Sequence, residues 1–147
     1  PPDLESLRTQ KLQEVSTACE QTIYAGSDVL TSFGSQHFSF KDEDQINIKQ
    51  AYDDCKAGAA GFPYHADGEL CKIYPAADII LIAETLMQNK LYHTTYCNHL
   101  NFWINRSEDI DELSTITYGS TLPTDLKANM DEVLTNAAKV TETTSPS

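Results

Sequence analysis

The sequence predicts a mainly α protein of the α+β class, a helical bundle of about five helices with a small antiparallel β-hairpin. Apolar residues recur with the helical period in several long segments, and one stretch, "FPYHADGELCKIYP", has the composition of a hairpin. Hydrophobic residues make up 40% of the 147 residues and charged residues 22%, which are ordinary globular values. We therefore predict a single globular helical domain over residues 1–140 and a disordered tail over 141–147. Because the chain opens at Pro1 without a methionine, we expect it to be part of a longer chain, as its C-terminal part, or a processed product.

The first predicted helix runs from Leu4 to about Tyr24 and stops near Gly26. Between Ser27 and Ser35 the small and hydroxyl-bearing residues favour a loop, and the alternation in "HFSF" then predicts a short strand. The helix has an apolar face made of Leu4, Leu7, Leu12, Val15, Ala18, Cys19 and Ile23.

The second predicted helix lies in "KDEDQINIKQAYDDCKAG", where Asp42 and Gln45 match a capping box and Gly58 ends the helix. The acidic cluster raises the possibility of an EF-hand. A calcium loop needs an oxygen ligand at position 5 and glycine at position 6, where this chain has Ile46 and Asn47. The acidic residues are better explained as partners of the helix macrodipole.

The hairpin is predicted around Asp67-Gly68, which would supply the positive φ angles of a tight turn, with His65 and Cys71 on its two arms. The longest helix is predicted from Ala76 to Asn105, and Ser107 is predicted to cap a short helix that reaches about Tyr118. Pro123 then opens the last helix. The apolar face of that last helix is formed by Leu126, Met130, Val133, Leu134 and Ala137.

The chain is strongly acidic, with 10 basic against 22 acidic residues and a formal net charge of -12. Phosphate backbones and anionic membrane surfaces would repel it. The longest strongly apolar run, "AADIILIA", is much shorter than the roughly 20 residues that cross a bilayer. We expect neither a nucleic acid nor a membrane as partner.

Four cysteines are spread along the chain without a C-x-x-C pair, at Cys19, Cys55, Cys71 and Cys97. This spacing fits neither a zinc ribbon nor a thioredoxin-like motif. Two disulfides with three possible connectivities remain formally open. We predict four reduced, mostly buried thiols, since a chain of this length can build its core without cross-links.

The stretch "YHTTYCNHLNFW" raises the question of a metal or nucleophile site at His93, Cys97 and His99. At about 100° per residue, His93 and Cys97 fall on the buried stripe of the longest helix, whereas His99 lies about 240° from His93. A zinc site would then need His65 and Cys71 from the hairpin.

A catalytic role for Cys97 with His93 as its base is the other alternative. A reactive thiol is commonly exposed at a helix N-terminus, whereas Cys97 is predicted in the middle of a helix on an apolar stripe. We therefore predict no catalytic, cofactor-binding or metal-binding residue and no enzyme activity. Trp103, at the edge of the same stripe, is our candidate for a subunit contact.

Several of these segments together resemble an uncharacterised phage and prophage protein family of Firmicutes-type phages, related in layout to the domain of unknown function found in phage tail-fibre and tail-assembly proteins. The resemblance extends over about residues 4–135. The segments that carry it are "LRTQKLQEVSTACEQTIYAG", "HFSFKDEDQINI", "YHADGELCKIYPAADI", "YHTTYCNHLNFWINR" and "ITYGSTLP".

The resemblance implies a virion structural or interaction protein of the tail, baseplate or fibre, acting through assembly rather than catalysis. Its partners would be other phage structural proteins, it would form a homo-oligomer, and it would be assembled in the host cytoplasm. One alternative is a phage tail-assembly chaperone that is not retained in the particle. Another is a small cysteine or zinc enzyme built on His93 and Cys97. The resemblance transfers no functional residue to this chain.

Overall fold

A computed structural model describes the backbone of residues 3–143 and the side chains of residues 3–140. This part of the chain is mainly helical with two small antiparallel sheets, which confirms the predicted α+β class. The elements in chain order are α1 (Leu4–Ala25), β1 (Ser27–Thr31), β2 (Gly34–Phe38), α2 (Asp42–Lys56), β3 (Gly61–Tyr64), β4 (Lys72–Pro75), α3 (Ala76–Arg106), α4 (Ile110–Thr115) and α5 (Thr124–Thr143).

The chain divides into two compact units. Unit 1 comprises the residues up to Cys19 and those from Tyr92 onward, and unit 2 comprises Glu20–Leu91. The division falls inside α1 and inside α3, so each of these helices supplies residues to both units. The single domain expected over residues 1–140 stays a prediction.

Unit 1 has an apolar core built from the first part of α1, the second part of α3, α4, and α5 with the segment before it. Leu100, Ile104, Leu113 and Ile116 are completely buried in it. The last helix contributes Leu126 and Met130, as its apolar periodicity predicts. Burial of this apolar area is the main source of stability for the unit.

Unit 2 begins with a β-hairpin where the sequence predicted a loop. Strands β1 and β2 pair antiparallel, with Ser27 opposite Phe38 and Thr31 opposite Gly34. The prediction was wrong because the two-residue turn, Ser32 and Phe33, lacks the Asn-Gly or Asp-Gly signal of tight hairpins. The strand expected in "HFSF" is present only in part, since β2 ends at Phe38.

Side chains supply the hydrogen bonds that hold this turn. The Thr31 hydroxyl accepts the Phe33 N–H at 3.1 Å. The Ser32 N–H lies 3.2 Å from both carboxylate oxygens of Asp78, and the Ser32 hydroxyl also donates to Asp78. Asp78 belongs to the first turn of α3, so a residue distant in sequence stabilises the hairpin.

The second hairpin lies where it was predicted, but its turn is wider. Strands β3 and β4 pair from Gly61 opposite Pro75 to Tyr64 opposite Lys72, and residues 65–71 connect them. Gly68 has the predicted positive φ, at +74°. Asp67 does not have the positive φ that was predicted for it, because among the described residues only glycines have one. His65 and Cys71 therefore lie in the connecting loop and not on the arms.

Two helix caps differ from the sequence prediction. The N-cap of α2 is Lys41, whose N–H donates to the Asp44 carboxylate at 2.9 Å, so the capping pair is shifted from Asp42 and Gln45. The N-cap of α4 is Asp109, which accepts the Asp111 N–H, and not Ser107. In both places a nearby acidic residue accepts a backbone N–H at the helix start, one position from the predicted Gln45 and two positions from the predicted Ser107.

The last helix begins directly after Pro123 and ends at Thr143, three residues into the tail predicted over 141–147. The rest of that tail, residues 144–147, lies outside the described residues. Within the described part of the chain, no helix combines the length and apolar composition needed to cross a membrane.

Candidate functional site: a tyrosine-lined pocket

A pocket of about 370 Å³ opens on unit 1, between the second part of α3, residues 118–122 and α5. One side of α3 lines the pocket with Tyr92, His93 and Tyr96. Tyr96 lies four residues after Tyr92 and three after His93, and residues at these spacings share a helix face. Lys127 and Asp131 form an exposed ion pair at 2.9 Å among the lining residues of α5. The remaining lining residues are Tyr118, Gly119, Ser120, Thr121, Leu122 and Met130.

Tyr96 attaches the segment after α4 to α3. Its hydroxyl donates to the Ser120 carbonyl and accepts the Gly119 N–H, the latter at 3.0 Å. Its ring meets the ring of Tyr118 edge to face, with centroids 5.2 Å apart. The hydroxyl thus donates one hydrogen bond and accepts another within the protein. Burial raises the pKa of Tyr96.

His93 and Tyr118 form a neutral hydrogen bond in the pocket. Nδ1 of His93 lies 2.7 Å from the Tyr118 hydroxyl. Burial lowers the pKa of His93, and burial followed by the neighbouring Cys19 raises the pKa of Tyr118. Both groups are therefore uncharged at neutral pH, and the contact is a hydrogen bond between neutral partners.

The thiol of Cys97 lies in the same part of α3, and Sγ of Cys19 on α1 lies 3.6 Å from the His93 carbonyl one turn before it. Burial, with a smaller contribution from Cys19, raises the pKa of Cys97 to about 11. The raised pKa keeps this thiol protonated at neutral pH. This electrostatic environment makes Cys97 a slow nucleophile at neutral pH and disfavours it as a catalytic one.

His99 is buried, contrary to the sequence prediction, whereas His93 and Cys97 are only half-buried. Its Nδ1 lies 2.8 Å from the Thr95 carbonyl, and its Nε2 lies 2.8 Å from the amide oxygen of Asn129 on α5. The prediction assumed one buried stripe on α3. In unit 1 that helix packs on more than one side, and α5 covers the side that carries His99.

The remaining sequence candidates are separate from this pocket. His65 contacts the Ala66 carbonyl at 3.0 Å through Nδ1, and Cys71 is exposed, which corrects the expectation of mostly buried thiols for this residue. All four cysteines are free, and Cys19 and Cys55 are buried. Trp103 is half-buried and packs against the unit 1 core. Among the described residues, no three His, Cys, Asp or Glu side chains converge as metal ligands would.

Strand β1 presents the second candidate site, a sheet edge in unit 2 that pairs with no other strand among the described residues. On the opposite edge, the His37 carbonyl of β2 accepts the Asp67 N–H at 2.9 Å. The backbone N–H and C=O of His37 therefore point away from β1. Asp28 lies opposite His37, so this pair is a non-hydrogen-bonded one. Because such pairs alternate along an antiparallel ladder, the backbone groups of Asp28 and Leu30 both point outward from β1. Leu30 is 72% exposed.

The two hairpins differ in how their edges are protected. The second hairpin carries Pro63 on β3 and Pro75 on β4, and each proline removes one N–H that another strand would need. The first hairpin has no proline in either strand. This edge was not predictable from the sequence analysis, because β1 itself was predicted to be a loop.

Comparison of the sequence with known protein families gives a match. Residues 6–117 match the family described as Domain of unknown function (DUF4376). The chain belongs to the DUF4376 family. No curated protein matches it, and no solved structure does.

The DUF4376 stretch includes both hairpins and the α3 side of the tyrosine-lined pocket, namely Tyr92, His93 and Tyr96. It ends just before Tyr118, so the other wall of the pocket and the whole of α5 lie beyond it. The β1 edge therefore belongs to the part that defines DUF4376, whereas the complete pocket does not.

Proposed function

We propose that this DUF4376 chain is a phage virion structural or interaction protein, associated with the tail, baseplate or fibre, and that it acts through assembly. The segments that resemble a phage and prophage family support the biological setting. The observation that carries the interaction role is the open edge of β1, with the outward backbone groups of Asp28 and Leu30.

An open sheet edge binds another strand through main-chain hydrogen bonds, and alternate side chains give the contact its specificity. On β1 the exposed side chains are Asp28 and Leu30, while Val29 and Thr31 are buried beneath them. An exposed leucine on an unprotected edge is a feature that soluble proteins normally avoid. Its presence supports a role in which a partner strand covers this edge.

The partner we propose is an extended segment of a neighbouring virion protein with a positive surface. The net charge of -12 favours such a partner, because opposite charge steers association and like charge opposes it. A homo-oligomer in the assembled particle is also part of the proposal, with the virion as final location. We expect neither nucleic acid nor membrane among the partners, and no catalytic activity.

A tail-assembly chaperone that leaves before the particle is complete is the second candidate. The acidic composition favours it specifically, since such a protein would mask a basic surface of a tail component. Mass spectrometry of purified particles separates the two functions. Stoichiometric presence of the chain supports the structural role, and its absence from infectious particles supports the chaperone.

The interaction edge is tested in the same particles with Leu30→Lys, which places a charge on the edge strand. The matched control is Leu70→Lys, because Leu70 is 90% exposed but lies in the loop between β3 and β4. We expect Leu30→Lys to lower incorporation or particle yield at least tenfold at unchanged Tm. Equal yields for the two variants would refute the β1 edge as the contact.

A further inference from the structure

The thiols of Cys19 and Cys97 are adjacent although the residues lie on two different helices of unit 1. After burial, the thiol of Cys19 is among the groups that raise the pKa of Cys97, so the two groups interact electrostatically. Independently, Sγ of Cys19 lies 3.6 Å from the carbonyl oxygen of His93. In α3 that carbonyl accepts the backbone N–H four residues later, which is the N–H of Cys97. This contact and the electrostatic interaction thus place Cys19 against the turn that carries Cys97.

We propose that Cys19 and Cys97 are a thiol–disulfide exchange site that forms a reversible intramolecular disulfide with small disulfides of the glutathione class. A disulfide requires the two sulfur atoms to approach to about 2.05 Å. Rotation about χ1 of the two cysteine side chains can bring about such an approach, because Cys19 Sγ already lies 3.6 Å from the carbonyl one turn before Cys97. Neither the proposed assembly role nor the β1 edge is required for this reaction.

The exchange proceeds in two balanced steps. The Cys97 thiol loses its proton to solvent, and its thiolate attacks one sulfur of oxidised glutathione, so that a mixed disulfide forms and one glutathione thiolate leaves. Cys19 then loses its proton and attacks Sγ of Cys97, which releases the second glutathione. Two protein thiols are oxidised, one glutathione disulfide is reduced, and the two protons end on the released thiolates.

Cys97 is the first to react because it is half-buried, whereas Cys19 is only 7% exposed. The small thiolate fraction of Cys97 makes the first step slow, and the proximity of Cys19 makes the second step fast. The mixed disulfide should therefore not accumulate. Cys55 and Cys71 belong to unit 2 and supply matched control thiols, one buried and one exposed.

The test incubates the full chain with oxidised glutathione, blocks the remaining thiols by alkylation and maps the peptides by mass spectrometry. We expect a cross-linked pair of peptides that contain Cys19 and Cys97, and its loss on reduction. The disulfide closes a long loop, so Tm should rise on the order of 10 °C and return with dithiothreitol. The cross-link should persist in a Cys55→Ser/Cys71→Ser variant and disappear in Cys97→Ala.

Three results would overturn the proposal. They are a cross-link that forms only in denaturant, a stable mixed disulfide at Cys97 in the folded chain, and a Tm that falls on oxidation. Because the peptide map is made on the unmodified sequence, the decision does not depend on whether Cys97→Ala folds.

Discussion

Nδ1 of His37 on β2 lies 2.7 Å from Oδ1 of Asp28 on β1, its partner across the strand pair. Nε2 of the same ring lies 2.6 Å from the Ala25 carbonyl at the end of α1 and 3.9 Å from the carboxylate of Asp67. Both ring nitrogens thus face oxygen acceptors. Only the imidazolium ion can donate to both at once.

This arrangement predicts that His37 stabilises the fold less as pH rises. The hydrogen bond to Asp28, followed by that to Ala25, raises the pKa of His37 above 6.5. The stabilisation is therefore fully present below pH 6.5 and is lost as pH rises through the folded-state value. We expect less than about 1 kcal/mol, because the side chain is half-exposed.

The measurement is urea unfolding of the natural sequence and of His37→Gln between pH 5 and 9, with His65→Gln as control. The difference between natural sequence and variant isolates His37, since burial lowers the pKa of His93 and gives it the opposite pH dependence. A difference that stays constant over this range would rule out the imidazolium bridge.

Gly26 is predicted to be the least replaceable glycine in the two hairpins and their connections. Its φ is +73°, and an added Cβ would lie 1.8 Å from the Phe38 carbonyl oxygen. Gly26→Ala should cost about 3 kcal/mol or more, through both the backbone conformation and the clash. Gly68→Ala is the matched control, because Gly68 has φ +74° with nothing within 4 Å of the added Cβ. We expect about 1 kcal/mol there, and equal losses in urea unfolding would contradict the clash.

Asp78 and Ser32 are predicted to be energetically coupled. Asp78 is 8% exposed and accepts both the N–H and the hydroxyl of Ser32. Asp78→Ala should cost about 2 to 3 kcal/mol of unfolding free energy and Ser32→Ala about 1 kcal/mol. The double variant should lose little more than Asp78→Ala alone, because the serine hydroxyl then has no carboxylate to bind. Strict additivity in a double-mutant cycle would show that the contact contributes nothing.

The two histidines of unit 1 should differ in their cost of removal. His99→Ala removes a buried ring and leaves a cavity, so we expect about 2 to 4 kcal/mol, whereas the amide of the exposed Asn129 can bind water instead. His93→Ala removes a half-buried ring and its bond to Tyr118, and we expect about 1 kcal/mol. Chemical denaturation of both variants checks the order. An unchanged Tm for His93→Ala would contradict a structural role for this residue.

The long helices were predictable from the sequence because apolar periodicity determines which face of a helix is buried. The end of α1 at Ala25, the start of α3 at Ala76 and the start of α5 at Thr124 all lie within one residue of the prediction. The hairpin of β1 and β2 was not predictable, since its turn depends on Asp78, a residue distant in sequence. Local patterns carry no information about such a contact.

The candidate sites were harder to predict than the helices. Spacing along α3 selected His93 and Cys97 correctly as neighbours on one side, but it gave no sign that Cys19 and Tyr118 meet them. Nor did it indicate that His99 would be the buried histidine, because burial on that side depends on α5. In both cases the missing information is which elements pack together.

The position at which the DUF4376 match ends has a practical consequence for recombinant production. A polypeptide trimmed to residues 6–117 would lack Leu122, Leu126 and Met130, and the apolar surface they cover around Leu100 and Ile104 would face water. Such a fragment should collect in inclusion bodies, whereas a chain that keeps α5 should be recovered in the supernatant. The boundary by which the family is recognised is thus a poor guide to where the gene can be cut.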